Sequence, residues 1–175
     1  MPEPLAGFVD ALRDELAPGC RLRAHITILP PRELGCGTAA ASQELQKIIA
    51  QARSFRVSLG EVKVFKGSEV IHLAVEDGMD AFRELHARLT QGVCGAPELW
   101  GYQPHVTLAQ DLEPAAVSSA FELAVRRWRE YSGPRSFALD QLTFVRRTLE
   151  NEETASRDGC WVDLKTWELP SAVLV

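Results

Sequence analysis

The sequence lacks the features that would place the protein in a membrane, on a secretory route or around a structural metal. No apolar run approaches the roughly 20 residues that a membrane-spanning helix needs. The first residues, MPEPLAGFVDALRDEL, carry acidic side chains early and lack the basic segment, followed by an apolar one, of a signal or transit peptide. The cysteines form no Cys-x-x-Cys pair, which argues against a zinc site; they are Cys20, Cys36, Cys94 and Cys160. We therefore expect a cytoplasmic protein with reduced thiols.

The chain also lacks the excess of Lys and Arg that proteins holding long nucleic acids by their phosphates usually carry. Its 19 basic residues are outnumbered by 24 acidic ones, which gives a net charge of -5. If the protein acts on RNA, we expect it to act on an end or a short piece through a local basic cleft. The apolar fraction of 46% and the 175-residue length are those of a soluble globular domain with a sizeable core.

Hydrophobic periodicity predicts an α+β fold. Helices are predicted over residues 4–17, 38–53, 80–89 and 113–131, and strands over 21–29, 55–65, 70–76, 105–109, 137–145 and 160–169. Residues 66–68 suit a hairpin turn, and the polar stretch from 147 to 158 suits a mobile loop.

This order of elements begins again near the middle of the chain. We therefore predict one domain, 1–175, built from two lobes related by a pseudo-twofold axis. The lobes cover approximately 1–76 and 77–175, with exchange of strands between them allowed, and their antiparallel sheets and helices surround a central cleft. The first copy begins at its helix, without the strand that precedes the helix of the second copy. Either one sheet is shorter or another chain covers that edge, so we expect a monomer or a homodimer.

A His-x-Thr motif occurs once in each copy, as His25-Ile26-Thr27 and His105-Val106-Thr107. In a strand, residues two apart project from the same face, so each histidine would lie beside its threonine. Two imidazoles can provide the base and the acid that cleavage of a phosphodiester needs near neutral pH. The two hydroxyls can donate hydrogen bonds to the phosphate oxygens. A single His-x-Thr carries little information, but its repetition at the same place in a repeated order indicates an active site.

The segments RAHITIL and QPHVTLAQ resemble the two signature strands of the two-histidine phosphoesterase superfamily, often called the 2'-5' RNA ligase family. The resemblance implies a bilobal α+β fold and hydrolysis of a 2',3'-cyclic phosphate on RNA or a nucleotide, or of a related cyclic phosphodiester. Because the paired histidines and hydroxyls suffice for this chemistry, we expect no metal or other cofactor. The resemblance also implies that His25 and His105 are the acid and the base, and that Thr27 and Thr107 hold the phosphate. From the sequence we assign His105 as the base and His25 as the acid.

Substrate-binding residues are predicted less directly. Bacterial members of the family usually carry an arginine soon after a His-x-Thr strand, whereas this chain has Ala109 followed by Gln110. The basic candidates for phosphate contact are Arg32 and Arg146, and Trp100 and Tyr102 are candidates for stacking on a base; these four complete the predicted site. The other two histidines are interpreted as structural: His72 as a buried ring with satisfied hydrogen bonds, and His86 as a solvated helix residue.

Other functions remain open at this level. The same site could ligate RNA in the reverse direction, trim an RNA end or open a cyclic phosphate on a small nucleotide. The cleft could instead bind a nucleotide without turning it over. A metal-dependent hydrolase is disfavoured because no cluster of Asp, Glu and His surrounds the motifs in the sequence. We expect the partner to be an RNA end or a small nucleotide with a cyclic phosphate, and no membrane.

Overall fold

The computed structural model describes residues 1–18, 23–91, 95, 101–147 and 161–171. In chain order, its elements are α1 (Leu5–Leu16), α2 (Thr38–Ile49), β1 (Phe55–Val64), β2 (Ile71–Val75), α3 (Met79–Leu89), β3 (His105–Ala109), α4 (Pro114–Glu130), β4 (Ser136–Leu139), β5 (Gln141–Arg147) and β6 (Trp161–Glu168). The predicted helices are confirmed, and so are the strands from residue 55 onward, except that the strand predicted over 137–145 is divided into β4 and β5 at Asp140. The loop predicted over 147–158 lies almost entirely outside the described residues.

Two sheets form in the described part of the chain. One has four strands in the order β3-β2-β1-β4, and β5 pairs with β6 in the other. The pairings of β1 with β2, β2 with β3 and β5 with β6 are antiparallel. The predicted α+β class with antiparallel sheets is therefore confirmed.

The chain forms two compact units whose segments alternate along the sequence. The first unit comprises Met1–Thr27, Arg56–Met79 and Pro104–Phe137, and the second comprises Ile28–Phe55, Asp80–Gln103 and Ala138–Val175. The pseudo-twofold relation and the lobe boundary near residue 76 stay predictions. In the described part of the chain, no helix is long and apolar enough to cross a bilayer; the cytoplasmic location also stays a prediction.

Helix α1 of the first unit has an apolar side, because its apolar residues recur every three or four positions. This spacing puts Leu5, Val9, Leu12 and Leu16 on one side, and all four are buried. Helix α4 is anchored by Trp128, whose indole N–H donates a 2.7 Å hydrogen bond to the carbonyl of Gly60 in β1. These contacts fix the helices against the sheet that carries the second motif.

Strand β3 alternates as predicted over its first residues and then departs from the alternation. Val106 and Leu108 are buried, whereas His105 and Thr107 are half-buried. Opposite β2, the register shifts between the first two pairs, Ile71 with Ala109 and His72 with Thr107, so that β3 carries one extra residue there. Such a bulge locally disrupts the alternation of faces.

The prediction of a strand over 21–29 is wrong for its described part. The structure describes residues 23–30 as irregular backbone, and residues 19–22 lie outside the described part. The local sequence provides a reason: the ring Nδ1 of His25 hydrogen-bonds the carbonyl of Arg23 at 2.6 Å, which occupies an acceptor that a strand ladder would use. Pro30 and Pro31 then follow without an amide N–H to donate.

Candidate active site

The first unit contains three histidines whose rings interact, and they come from three separate segments. His105 begins β3, His72 lies in the neighbouring β2, and His25 lies in the irregular segment after α1. The ring centroids of His72 and His105 are 5.4 Å apart, with the planes inclined by 73°. The charge of His105 lowers the pKa of both other rings, so all three share one electrostatic environment.

His25 is held in a defined tautomer. Because a carbonyl oxygen can only accept, the 2.6 Å contact requires Nδ1–H of His25 to donate to the Arg23 carbonyl. In the neutral ring, Nε2 therefore carries the lone pair. The residue is exposed at the surface of the unit, and Nε2 is thus the nitrogen available to accept a proton.

The pKa of His25 is lowered from its ordinary value of 6.5. The largest cause is desolvation of the ring by the surrounding protein; the hydrogen bond to Arg23 opposes it. The positive charges of Arg13, in α1, and of His105 lower the pKa further, and the carboxylate of Asp10 raises it. The net effect favours a neutral imidazole at neutral pH.

His105 and Thr107 project from the same face of β3, as the alternation predicts. The His105 ring meets Phe65 at a centroid distance of 4.8 Å and an interplanar angle of 87°. Phe65 follows β1 and stacks on His72 with its centroid 3.8 Å away and only 14° between the planes. Phe65, His72 and His105 thus form a three-ring cluster that restricts the orientation of the second motif's histidine.

His72 is the member of this cluster that the sequence did not identify. Its side chain is buried, with 1% exposure, as predicted. The prediction of satisfied hydrogen bonds is not met: neither ring nitrogen has a partner with good hydrogen-bond geometry among the described residues, and a weaker contact with the backbone of Val70 only partly opposes the lowering of the ring's pKa. Its pKa is lowered to about 4, mainly by burial and then by the charge of His105, so the ring is neutral at physiological pH. A lone polar ring among the apolar residues of VIHLAV was the available signal, and its position beside Thr107 comes from the pairing of β2 with β3.

The predicted substrate-binding residues lie either in the second unit or outside the described residues. Arg32, Tyr102 and Arg146 belong to the second unit, and Trp100 lies outside the described residues. The Nε–H of Arg32 donates to the carbonyl of Pro30 at 3.1 Å, and Arg146 is exposed on β5. Their roles in phosphate contact stay predictions.

Tyr102 already has an aromatic partner. Its ring lies parallel to that of His86, with centroids 4.0 Å apart and 1° between the planes. His86 is buried in α3 at 9% exposure, so the prediction that it is solvated is wrong. Stacking of Tyr102 on a base stays a prediction, with one ring face already used by His86.

The arrangement in the first unit suits proton transfer. A neutral imidazole with a free Nε2, a second imidazole held by aromatic contacts and the hydroxyl of Thr107 can serve as base, acid and hydrogen-bond donor. Within the described residues, no group of three His, Cys, Asp or Glu side chains is placed to hold a metal ion. The imidazoles and the hydroxyl of the first unit are groups that suit general acid-base catalysis.

The fold is shared with a solved bacterial protein. The chain matches Escherichia coli LigT, solved in an apo form and in a complex with NADP+, with a TM-score of 0.61 and 18% identity in both cases. Each match covers 98% of this chain and 94% of the LigT chain. At this level of identity the likeness establishes the class of fold, an α+β protein built on antiparallel sheet.

The family follows from the sequence comparison. A model of the 2'-5' RNA ligase superfamily matches residues 1–151, and the chain belongs to that superfamily. The protein OB1230 of Oceanobacillus iheyensis, which is named as a phosphoesterase, is 29% identical over 91 residues. That match covers 51% of this chain and 53% of the relative, so it spans about half the length of each. The resemblance drawn from the two His-x-Thr motifs is thereby confirmed.

Proposed function

We propose that this protein is a metal-independent phosphodiesterase that hydrolyses 2',3'-cyclic phosphate ends of RNA or a related cyclic nucleotide. The observation that carries the proposal is the pairing of His25, whose Nε2 is free to accept a proton, with His105 in the same electrostatic environment. Membership of a superfamily named for RNA ligation and likeness to a protein named as a phosphoesterase support this class of reaction.

The direction of the His25 pKa favours a different assignment of roles from the one made on sequence. A base must be neutral before it reacts, and partial desolvation of the ring by the surrounding protein lowers the pKa of His25, which favours its neutral form at neutral pH. We therefore assign His25 as the base, acting through Nε2, and His105 as the acid. This reverses the initial assignment while keeping both histidines in the reaction.

In the proposed step, a water oxygen forms a bond to phosphorus and passes its proton to Nε2 of His25. The bond from phosphorus to one ribose oxygen breaks, and His105 gives that oxygen a proton. The product is a ribose monophosphate, and proton exchange with solvent restores both rings. The hydroxyls of Thr27 and Thr107 donate to the non-bridging oxygens, where negative charge increases in the transition state.

Hydrolysis of a 2',3'-cyclic mononucleotide tests this assignment. His25→Asn and His105→Asn should each lower kcat/KM by about 100-fold or more, because each removes one proton-transfer group. Thr107→Val should lower it by about tenfold or more through the lost hydrogen bond. Ser119→Ala is the matched control, since its hydroxyl lies on α4 and bonds the carbonyl of Ala116 within the helix.

Circular dichroism and thermal melting would establish that each variant folds. Turnover should also be unchanged by chelators. Near-full activity of either histidine variant would contradict the acid-base pair, and loss of activity on chelation would point instead to a metal-dependent hydrolase.

A nucleotide-binding module is the second candidate, because the structural neighbour LigT was solved in complex with NADP+. In that case the same cleft would bind a nucleotide without breaking a bond. Tight binding of a cyclic nucleotide with no product after long incubation would favour this function. Sealing of RNA ends with a 2'-5' linkage, assayed on the same preparation, would favour ligation.

A further inference from the structure

The register of the central sheet places a lysine on the same face as the second His-x-Thr motif. His72 in β2 is the cross-strand partner of Thr107 in β3 on one side and of Lys63 in β1 on the other. Directly paired residues of neighbouring strands project from the same face. Lys63, His72 and Thr107 therefore form one row across the sheet, and His105 lies on the same face two residues before Thr107.

Both register shifts lie outside the pairs that form this row. The three residues therefore share a face whatever the local geometry of the bulges. From β1 to β2, residues 62–64 pair in register with 73–71, and the irregularity lies before them, between Leu59 and Val62. From β2 to β3, residues 72–74 pair in register with 107–105, and the extra residue of β3 comes after Thr107.

The ammonium group of Lys63 is available to a ligand. The side chain is exposed, and it makes no hydrogen bond or ion pair with any residue of the ranges that the structure describes. Its charge nevertheless reaches the cluster: after burial and the charge of His105, Lys63 is a further cause of the lowered pKa of His72. Arg13 also acts electrostatically on a histidine of the site, but at 3% exposure it is buried away from solvent.

A phosphodiester bound against His105 and Thr107 would lie within reach of this lysine. Neighbouring strands are about 4.8 Å apart, so the Lys63 backbone is about two strand spacings from Thr107. The flexible four-carbon stem of lysine covers much of that separation and carries a compact charge that suits phosphate. On this face, Lys63 is the exposed cation of the row that contains the second motif.

We propose that Lys63 binds the phosphoryl group of the substrate and neutralises the charge that develops on it. The proposal rests on the proposed function in placing the phosphate at the His-x-Thr motifs, and it adds a binding residue on a strand that carries neither motif. In this role Lys63 stabilises negative charge on the oxygens of the phosphate, whereas the histidines transfer protons.

Two measurements on the full chain test this role, both with Lys63→Gln and the charge-conserving Lys63→Arg. Lys66→Gln is the matched control, because it removes the same charge from the exposed turn that follows β1. The first measurement is binding of adenosine 3'-monophosphate by calorimetry, which needs no turnover. Lys63→Gln should weaken binding by about tenfold, as expected for loss of a charge-assisted contact, while Lys63→Arg and Lys66→Gln should bind within about twofold of the parent.

The second measurement is hydrolysis of the cyclic mononucleotide at several salt concentrations. The parent should lose kcat/KM as salt screens the lysine, and Lys63→Gln should show a weaker dependence. Equal binding by the parent and Lys63→Gln, or an equal loss in Lys66→Gln, would overturn the role of Lys63, as would a parent that binds no nucleotide. Absence of hydrolysis together with the expected binding differences would overturn the proposed reaction and leave the binding role of Lys63 supported.

Discussion

The buried ring of His72 should make the protein lose stability as the solution becomes mildly acidic. In the folded chain its pKa is about 4, against an ordinary value of 6.5 that we take for the unfolded chain. Between these values the unfolded state binds a proton that the folded state does not, so lowering the pH favours unfolding. The contribution of His72 is fully present above pH 6.5 and is lost progressively as the pH falls towards 4.

The size of the effect follows from the same two values. Proton linkage at one site with these pKa values costs about 2 kcal/mol of unfolding free energy between pH 7 and pH 5. Because stabilities of single domains are about 5–15 kcal/mol, a loss of this size is readily measured by urea unfolding at a series of pH values.

The test compares the parent with His72→Phe, which keeps an aromatic ring against Phe65 and removes the titrating group. The variant should lose about 2 kcal/mol less than the parent between pH 7 and pH 5. Val57→Ala is the matched control: it removes buried volume from β1 without removing a charge, so its lower stability should follow the parent's pH dependence. Parallel curves for the parent and His72→Phe would refute a buried neutral imidazole, and an NMR titration of the ring would identify the error.

Three further outcomes follow from single contacts. If the lowered pKa of His25 belongs to the base, the acid limb of the kcat/KM profile should have its midpoint below pH 6.5, and a midpoint above it would exclude that role. Trp128→Phe should lower the unfolding free energy by about 1–3 kcal/mol, because the carbonyl of Gly60 loses its indole donor; an unchanged urea midpoint would contradict the importance of that bond. Gly67→Ala should cost about 1 kcal/mol, because its φ of 77° disfavours a side chain. Gly35→Ala, which also meets no atom within 4 Å, serves as its control, and equal melting temperatures for the two would contradict the strain.

The elements of the fold were largely predictable because their apolar spacing is regular. Helix α1 buries Leu5, Val9, Leu12 and Leu16, all of which recur at helical spacing in the sequence. Strand β3 buries Val106 between two half-buried motif residues, as period-two alternation requires. Patterns of this kind involve only residues that are close in the sequence, so they can be recognised before the tertiary structure is known.

The segment around His25 was mispredicted because its alternation resembles that of a strand. RLRAHITIL alternates polar and apolar residues, yet its described part is irregular and His25 hydrogen-bonds the carbonyl of Arg23. A side chain that bonds its own backbone competes with the ladder, and the residue pattern alone does not indicate which arrangement prevails. Both motif histidines could nevertheless be proposed as site residues, because the motif was read from the repeat and does not depend on the local backbone.

The remainder of the candidate site depends on sheet register, which the sequence leaves open. His72 and Lys63 become neighbours of Thr107 only through the pairing of three strands from distant parts of the chain. A shift of one residue in either pairing would move His72 or Lys63 to the other face. The stacking of Tyr102 on His86 is likewise a tertiary contact, and it replaced the expectation of a solvated helix residue.

The extra residue in β3 determines which positions can accept an engineered charge. In a regular strand, residue 109 would share the face of Thr107, so an arginine engineered at that position would project towards the second motif. The bulge instead pairs Ala109 with Ile71, and both are buried. A guanidinium at position 109 would therefore be desolvated among apolar side chains, so a graft at that position would disrupt the core before it could improve catalysis.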